Sequence, residues 1–121
     1  MHEASLVHNI FDLLESKFSE EELQTLEQID VQVGLLSNVE PLLLENAFEA
    51  VKVTLNKYHQ VQLHMEHVAI EVYCATCDAQ SKIRNYTFVC EHCGQPNNHV
   101  VKGMELLINK LHFSGKIKVT A

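Results

Sequence analysis

The sequence contains no tryptophan, and only four glycines and two prolines among 121 residues. So few chain breakers exclude a low-complexity, collagen-like or disordered chain. Nine Lys and Arg face 16 Asp and Glu, a formal charge of -7, and no basic run occurs. That argues against nucleic-acid binding, which leans on cationic contacts to phosphates. No apolar run approaches the roughly 18 residues of a membrane span. The N-terminus lacks a basic stretch followed by an apolar run, so no signal peptide is expected. No internal repeat or linker is visible. A cytoplasmic protein that meets other proteins or cations fits this composition.

What is present is a modest apolar supply, 46% of the chain, enough for one small core. Between Ala4 and Phe18 the apolar residues Leu6, Val7, Ile10, Phe11, Leu13, Leu14 and Phe18 recur at steps of three and four, which predicts an amphipathic helix. Glu3 lies at its start, where negative charge suits the helix dipole. In "SEEELQ", Ser19 and Glu22 have capping-box spacing and allow either a short helix or a solvated loop. Ile29, Val31, Val33 and Leu35 alternate, predicting a half-buried strand that ends near Gly34. Pro41 then suits the first position of a second long helix, with Leu43, Leu44, Ala47, Phe48, Val51 and Leu55 as its buried stripe.

Alternation resumes through Val61, Leu63 and Met65, then Val68, Ile70 and Val72, as one long or two short strands leading into a cysteine pair. "HVVKGMELLINKLHF" predicts another strand region, with Met104, Leu106, Ile108 and Lys110 in one phase and Leu107 and Leu111 in the other. Apolar residues on both faces suit a central strand. The tail "KIKV" is either a short edge strand or a frayed end. The expected fold is α+β: two helices packed on a small mixed β-sheet, with a zinc-ribbon-like lobe inserted between strands.

The four cysteines form two tight pairs, Cys74-Ala-Thr-Cys77 and Cys90-Glu-His-Cys93. Two residues between thiolates let both sulfurs of a knuckle face one ion, and two knuckles supply the soft ligands of a tetrahedral zinc site. Gly94 follows the second pair, where a knuckle turn often needs positive φ. The alternatives are a rubredoxin-type iron site, a redox disulfide and buried free thiols. A closed tetrathiolate has no open coordination position, so it would hold together a lobe too small to bury enough apolar surface. No Ser-His-Asp or Cys-His arrangement stands out, so an enzyme is not expected. His92 and His99 lie close to the second knuckle, but solvent-facing positions suit both.

The chain begins "MHE". An α-amine loses its proton readily, with a pKa of roughly 8. The amine of Met1, the amide and ring nitrogens of His2 and the amide of Glu3 could close adjacent chelate rings. Four nitrogens in a square suit Ni(II) or Cu(II) better than zinc. The remaining histidines, His8, His59, His64, His67 and His112, are scattered. His8 sits on the first predicted helix, near the terminus.

"MHEASL", "VQVGLLSNVE", "AFEAV", "CATC", "CEHCG" and "GMELLI" together resemble the hydrogenase and urease nickel-incorporation metallochaperones (HypA/HybF family), in order and spacing, over nearly all of 1–111. The resemblance implies Ni(II) bound at the N-terminus, with His2 indispensable and Met1 and Glu3 completing the site. It implies zinc held by Cys74, Cys77, Cys90 and Cys93. It also implies a nickel-handling GTPase as partner and the hydrogenase large-subunit precursor as recipient, with urease and its accessory proteins as a second route. A homodimer is a further expectation. On this reading 1–73 plus 100–121 form the nickel-binding α/β domain and 74–99 the zinc-binding lobe. Glu40 falls where the family often carries an acid that could lie near nickel. The sequence departs from the family at Gly34-Leu35-Leu36-Ser37, at Asp78 after the first knuckle, and in a tail that runs past the family's usual end. The rival reading is a zinc-ribbon adaptor that binds protein and delivers no nickel; a third is an electron carrier with iron in the thiolates.

Overall fold

A computed structural model describes residues 3–119. Its elements are α1 (Glu3–Lys17), α2 (Glu20–Leu23), β1 (Leu26–Gly34), α3 (Pro41–Leu55), β2 (Gln62–Val68), β3 (Glu71–Cys74), β4 (Ala79–Lys82), β5 (Val100–Lys102), β6 (Leu106–Phe113) and β7 (Lys116–Val119). The class is α+β. The strands form two sheets rather than one, a four-stranded sheet in the order β2-β1-β6-β7 and a three-stranded sheet in the order β4-β3-β5. No helix of the described residues is long and apolar enough to cross a membrane.

The chain divides into two compact units. Among the described residues the first takes in 3–31, 39–66 and 107–119; the second takes in 32–38 and 67–106.

In the first unit, α1 buries Val7, Ile10, Phe11 and Leu14, and α3 buries Leu44, Phe48 and Val51. Phe11 stacks on Phe48 at 5.5 Å between ring centroids and on Tyr58 at 4.5 Å. Burying a side chain of this size contributes about 1.5–3 kcal/mol. β1 adds Ile29 and Val31 and β6 adds Leu111 and Phe113 to the core. Phe18, just past α1, meets the Phe113 ring at 5.2 Å. Two expected stripe residues are solvent-facing instead: Leu13 is 43% and Leu43 52% exposed. Each lies beside its helix's buried stripe, where a spacing of three or four reads the same for a flank as for the face.

Lys52 takes a buried place on α3. Its ammonium donates to the Val61 carbonyl at 2.8 Å and pairs with Glu49 at 2.9 Å. "SEEEL" is a true short helix. The Ser19 hydroxyl accepts from the Glu22 N–H and the Glu22 carboxylate accepts from the Ser19 N–H, which completes the capping box. Pro41 opens α3 as its spacing predicts, and Asn56 closes it in the left-handed conformation, φ 52°.

The outer face of β1 and β6 carries a polar pair. Asp30 accepts from the His112 ring at 2.8 Å and from the Gln28 side-chain amide at 2.6 Å. β7 pairs antiparallel with β6 at the sheet edge, from Lys110↔Val119 to Phe113↔Lys116. The tail is therefore an edge strand. Its Lys118 lies over the Phe18 ring at 4.8 Å and reaches the Glu22 carboxylate at 3.5 Å.

The second unit has its own small core of Ile70, Val72 and Ile83, with Leu36, Phe88 and Val100 packed against it. The strand region leading into the first cysteine pair is two strands, β2 and β3, in different sheets. The predicted strand through "GMELLI" is likewise broken, into β5 and β6. Gly103 makes the break. It has φ 101°, and a Cβ there would stand 2.8 Å from the Ile70 Cα. Met104, placed in a strand phase by alternation, is 59% exposed.

Candidate metal centre

The first knuckle is the turn of a hairpin. β3 and β4 pair antiparallel down to Cys74↔Ala79, so the turn runs through 75–78. Asp78 takes φ 49°, the left-handed position after the second cysteine. Asp is among the few side chains that tolerate this conformation. Its carboxylate accepts from the Tyr73 hydroxyl at 2.6 Å, which fixes the turn. The second knuckle is closed by the Val89↔Pro96 bridge. Within it the Cys90 N–H donates to the Gln95 carbonyl at 2.9 Å and the Gly94 N–H to the Cys90 carbonyl at 2.8 Å. Gly94 has φ 73°, matching Asp78 in the first knuckle.

These two turns bring Cys74, Cys77, Cys90 and Cys93 together, with all four sulfurs within 4.8 Å of one another. The Cys74–Cys93 and Cys77–Cys90 sulfur pairs are 3.9 Å apart. Zinc–sulfur bonds of about 2.3 Å at tetrahedral angles require sulfurs about 3.8 Å apart. The donor set therefore fits a tetrahedral soft divalent ion. It is the one group of three or more His, Cys, Asp or Glu among the described residues that could hold a metal ion. A cluster of this kind is closed, so the chemistry it offers is cross-linking of a lobe rather than activation of water.

The thiols are electrostatically unequal. The backbone N–H groups of Cys93 and His92, with a smaller contribution from Ser81, bring Cys90 down to about 6. Cys77 is pushed up to about 12, first by the Cys93 thiol, then by burial and the Cys90 and Cys74 thiols. Four thiols this close cannot all ionise without a counter-charge, which a divalent cation supplies.

Ser81 is the residue that spacing did not reveal. It lies in β4, opposite Val72, and is 1% exposed. Its oxygen accepts from the Glu91 N–H at 3.1 Å, and its hydroxyl points at the Cys90 sulfur, 3.9 Å away. A serine on a four-residue strand between two knuckles has no periodic signal. The one available clue was a polar residue in the alternating phase of Ile83.

Other candidates stand apart from the thiols. His92 and His99 are exposed, and the His99 ring meets the Tyr73 ring edge-on at 5.9 Å. His64 and His67 lie in β2, close to its end at Val68. His59 contacts the Asn56 side chain and His112 pairs with Asp30. His8 is exposed on α1, and Glu40 is the exposed residue before α3, with no side-chain capping bond. Met1 and His2 lie outside the described residues. Glu3 opens α1 and is half-buried.

A family model described as hydrogenase/urease nickel incorporation, metallochaperone, hypA matches residues 1–113. The chain is 30% identical over 113 residues to the hydrogenase maturation factor HypA of Aquifex aeolicus, covering 93% of this chain and 97% of that one. Against the HypA of Campylobacter jejuni it is 28% identical over 111 residues, covering 92% and 97%. The solution structure of the Ni metallochaperone HypA from Helicobacter pylori shares the fold, with a TM-score of 0.67 at 24% identity over 93% of this chain and 97% of that chain. The chain thus belongs to the HypA family of hydrogenase/urease nickel-incorporation metallochaperones.

Proposed function

We propose that the chain carries Ni(II) as cargo on its N-terminus and delivers it during maturation of [NiFe] hydrogenase. The ligands are the amine of Met1, the amide and imidazole nitrogens of His2 and the backbone amide of Glu3. The observation that carries this reading is the family match from residue 1 through both knuckles. The position of Glu3 supports it. N–H groups in a helix's first turn have no intrahelical carbonyl to bond, which suits the Glu3 amide to a metal. Terminal ligands can be exchanged one at a time for those of a recipient, and amine and amide deprotonation makes acid favour release.

The resident metal on this reading is zinc, held by Cys74, Cys77, Cys90 and Cys93, which gives the lobe its shape. The nickel-binding domain is 1–73 plus 100–121, and 74–99 is the zinc lobe. Partners are a nickel-handling GTPase, the hydrogenase large-subunit precursor and, as a second recipient system, the urease accessory proteins. The protein acts in the cytoplasm, as a carrier and not an enzyme, and self-associates as a homodimer.

Nickel titration of protein bearing its native N-terminus tests the cargo site. A square-planar Ni(II) band lost in His2→Ala, and lost again when one residue is added before Met1, is the expected result. Unchanged nickel affinity in both variants sinks the proposal and leaves a zinc-bearing adaptor. Metal analysis tests the knuckles: zinc leaves the protein colourless, whereas an iron tetrathiolate is red.

A further inference from the structure

Ser81 occupies a place built for an apolar side chain. It is buried in β4, two residues before buried Ile83, and faces Val72 across the ladder. A polar group in such a place costs stability unless its hydrogen bonds are made. Its oxygen takes the Glu91 N–H, and its proton has one acceptor, the Cys90 sulfur. Cys77, half-buried, lies with its sulfur 3.9 Å from that of Cys90. Of the four thiols, Cys90 is the one that a buried hydroxyl points at.

We propose that Ser81 is a positioning residue of the metal centre. Its hydroxyl donates to the Cys90 thiolate, draws charge from that sulfur and steadies it as a ligand. The inference rests on the tetrathiolate reading above. A bound dication with four thiolates carries two surplus negative charges, and donors to sulfur disperse them. The Glu91 N–H holds the hydroxyl oxygen from the knuckle side, so β4 and the second knuckle are tied through one side chain.

Co(II) replacing the resident metal reports on this bond. In Ser81→Ala the Cys90 sulfur is richer in electrons, so the thiolate-to-cobalt charge-transfer band moves to lower energy. Zinc affinity, measured by competition with a chromophoric chelator, falls about 10-fold. Ser81→Thr keeps the hydroxyl and keeps the band. An unmoved band in Ser81→Ala with native circular dichroism overturns the proposal, and weaker zinc binding with an unmoved band does so too, since that is packing alone. Absence of a tetrathiolate spectrum in the unmutated protein overturns the tetrathiolate reading itself, a separate result. If Ser81→Ala does not fold, cadmium-113 NMR of the unmutated protein decides. A scalar coupling from cadmium through sulfur to the Ser81 hydroxyl proton is expected, and its absence overturns the proposal.

Discussion

The backbones of Gly34 and Gly103 touch. A Cβ on Gly34 would fall 2.3 Å from both the carbonyl carbon and oxygen of Gly103. The contact is held by hydrogen bonds on either side, from the Gly34 N–H to the Glu105 carbonyl at 2.9 Å and from the Leu36 N–H to the Gly103 carbonyl at 2.7 Å. Val68 joins them, accepting from the Leu35 N–H at 3.2 Å. Two glycines far apart in sequence, one in "VQVG" and one in "GMEL", thus solve a single steric problem where chain segments cross in the second unit.

Gly34→Ala is therefore expected to cost more than about 3 kcal/mol, because the obstructing atoms are backbone and cannot rotate away. Gly94→Ala meets no atom within 4 Å and suffers only from its positive φ, costing about 1–2 kcal/mol. Thermal unfolding of the two variants side by side checks the order. Equal losses would refute the crossing as the cause.

Stripping the metal, by chelator or by Cys74→Ser, is expected to unfold the second unit while leaving the first helical. The second unit's core is three buried apolar residues with three partly buried ones around them, too little to hold a lobe alone. Amide dispersion should collapse for residues 67–106 and persist across α1 and α3. Retained dispersion throughout would show that the thiols contribute nothing to folding.

Asp30 sets an acid limb. Burial pushes its carboxyl up, but hydrogen bonds from His112 and Gln28, with the charges of His112 and His64, outweigh burial and hold it below its ordinary 3.8. A depressed folded pKa stabilises the protein above the unfolded value, and that contribution fades as pH falls through the folded one. Carboxyl carbon shifts should give Asp30 a midpoint below 3.8. Asp30→Asn should narrow its stability gap to the parent as the solution is acidified from pH 5. A gap that widens on acidification has the wrong sign for this pair.

Lys52→Met keeps the apolar stem of a buried side chain and removes its donor. The Val61 carbonyl loses its 2.8 Å partner, at an expected cost of about 1–3 kcal/mol. Urea denaturation measures it. Glu49→Gln, which touches only the exposed side of the same ammonium, should shift the midpoint by less than about 1 kcal/mol.

Much of this was readable from spacing. Paired cysteines announced the knuckles because thiolate geometry demands that interval, and the buried phase of Ile29, Val31 and Val33 follows from the pleat. Alternation failed where it ran across Gly103, because period two continues through a break that only backbone crowding enforces. Helical spacing failed at Leu13 and Leu43, since a stripe's edge depends on what faces it. Lys52 was hidden for the opposite reason: a charged residue is buried here by a carbonyl from a loop nine residues on. Ser81 had no signal beyond being polar in an apolar phase.

The hairpin strand β7 lies past the 113 residues that the family model matches, and it takes the outer place beside β6. Its own rim carries Lys116, the kind of charge that keeps one sheet from annealing to another. Trimming the chain after residue 113 would bare the unpaired backbone of β6 next to Leu111 and Phe113. Solubility, rather than metal handling, is what such a shortened protein would lose first.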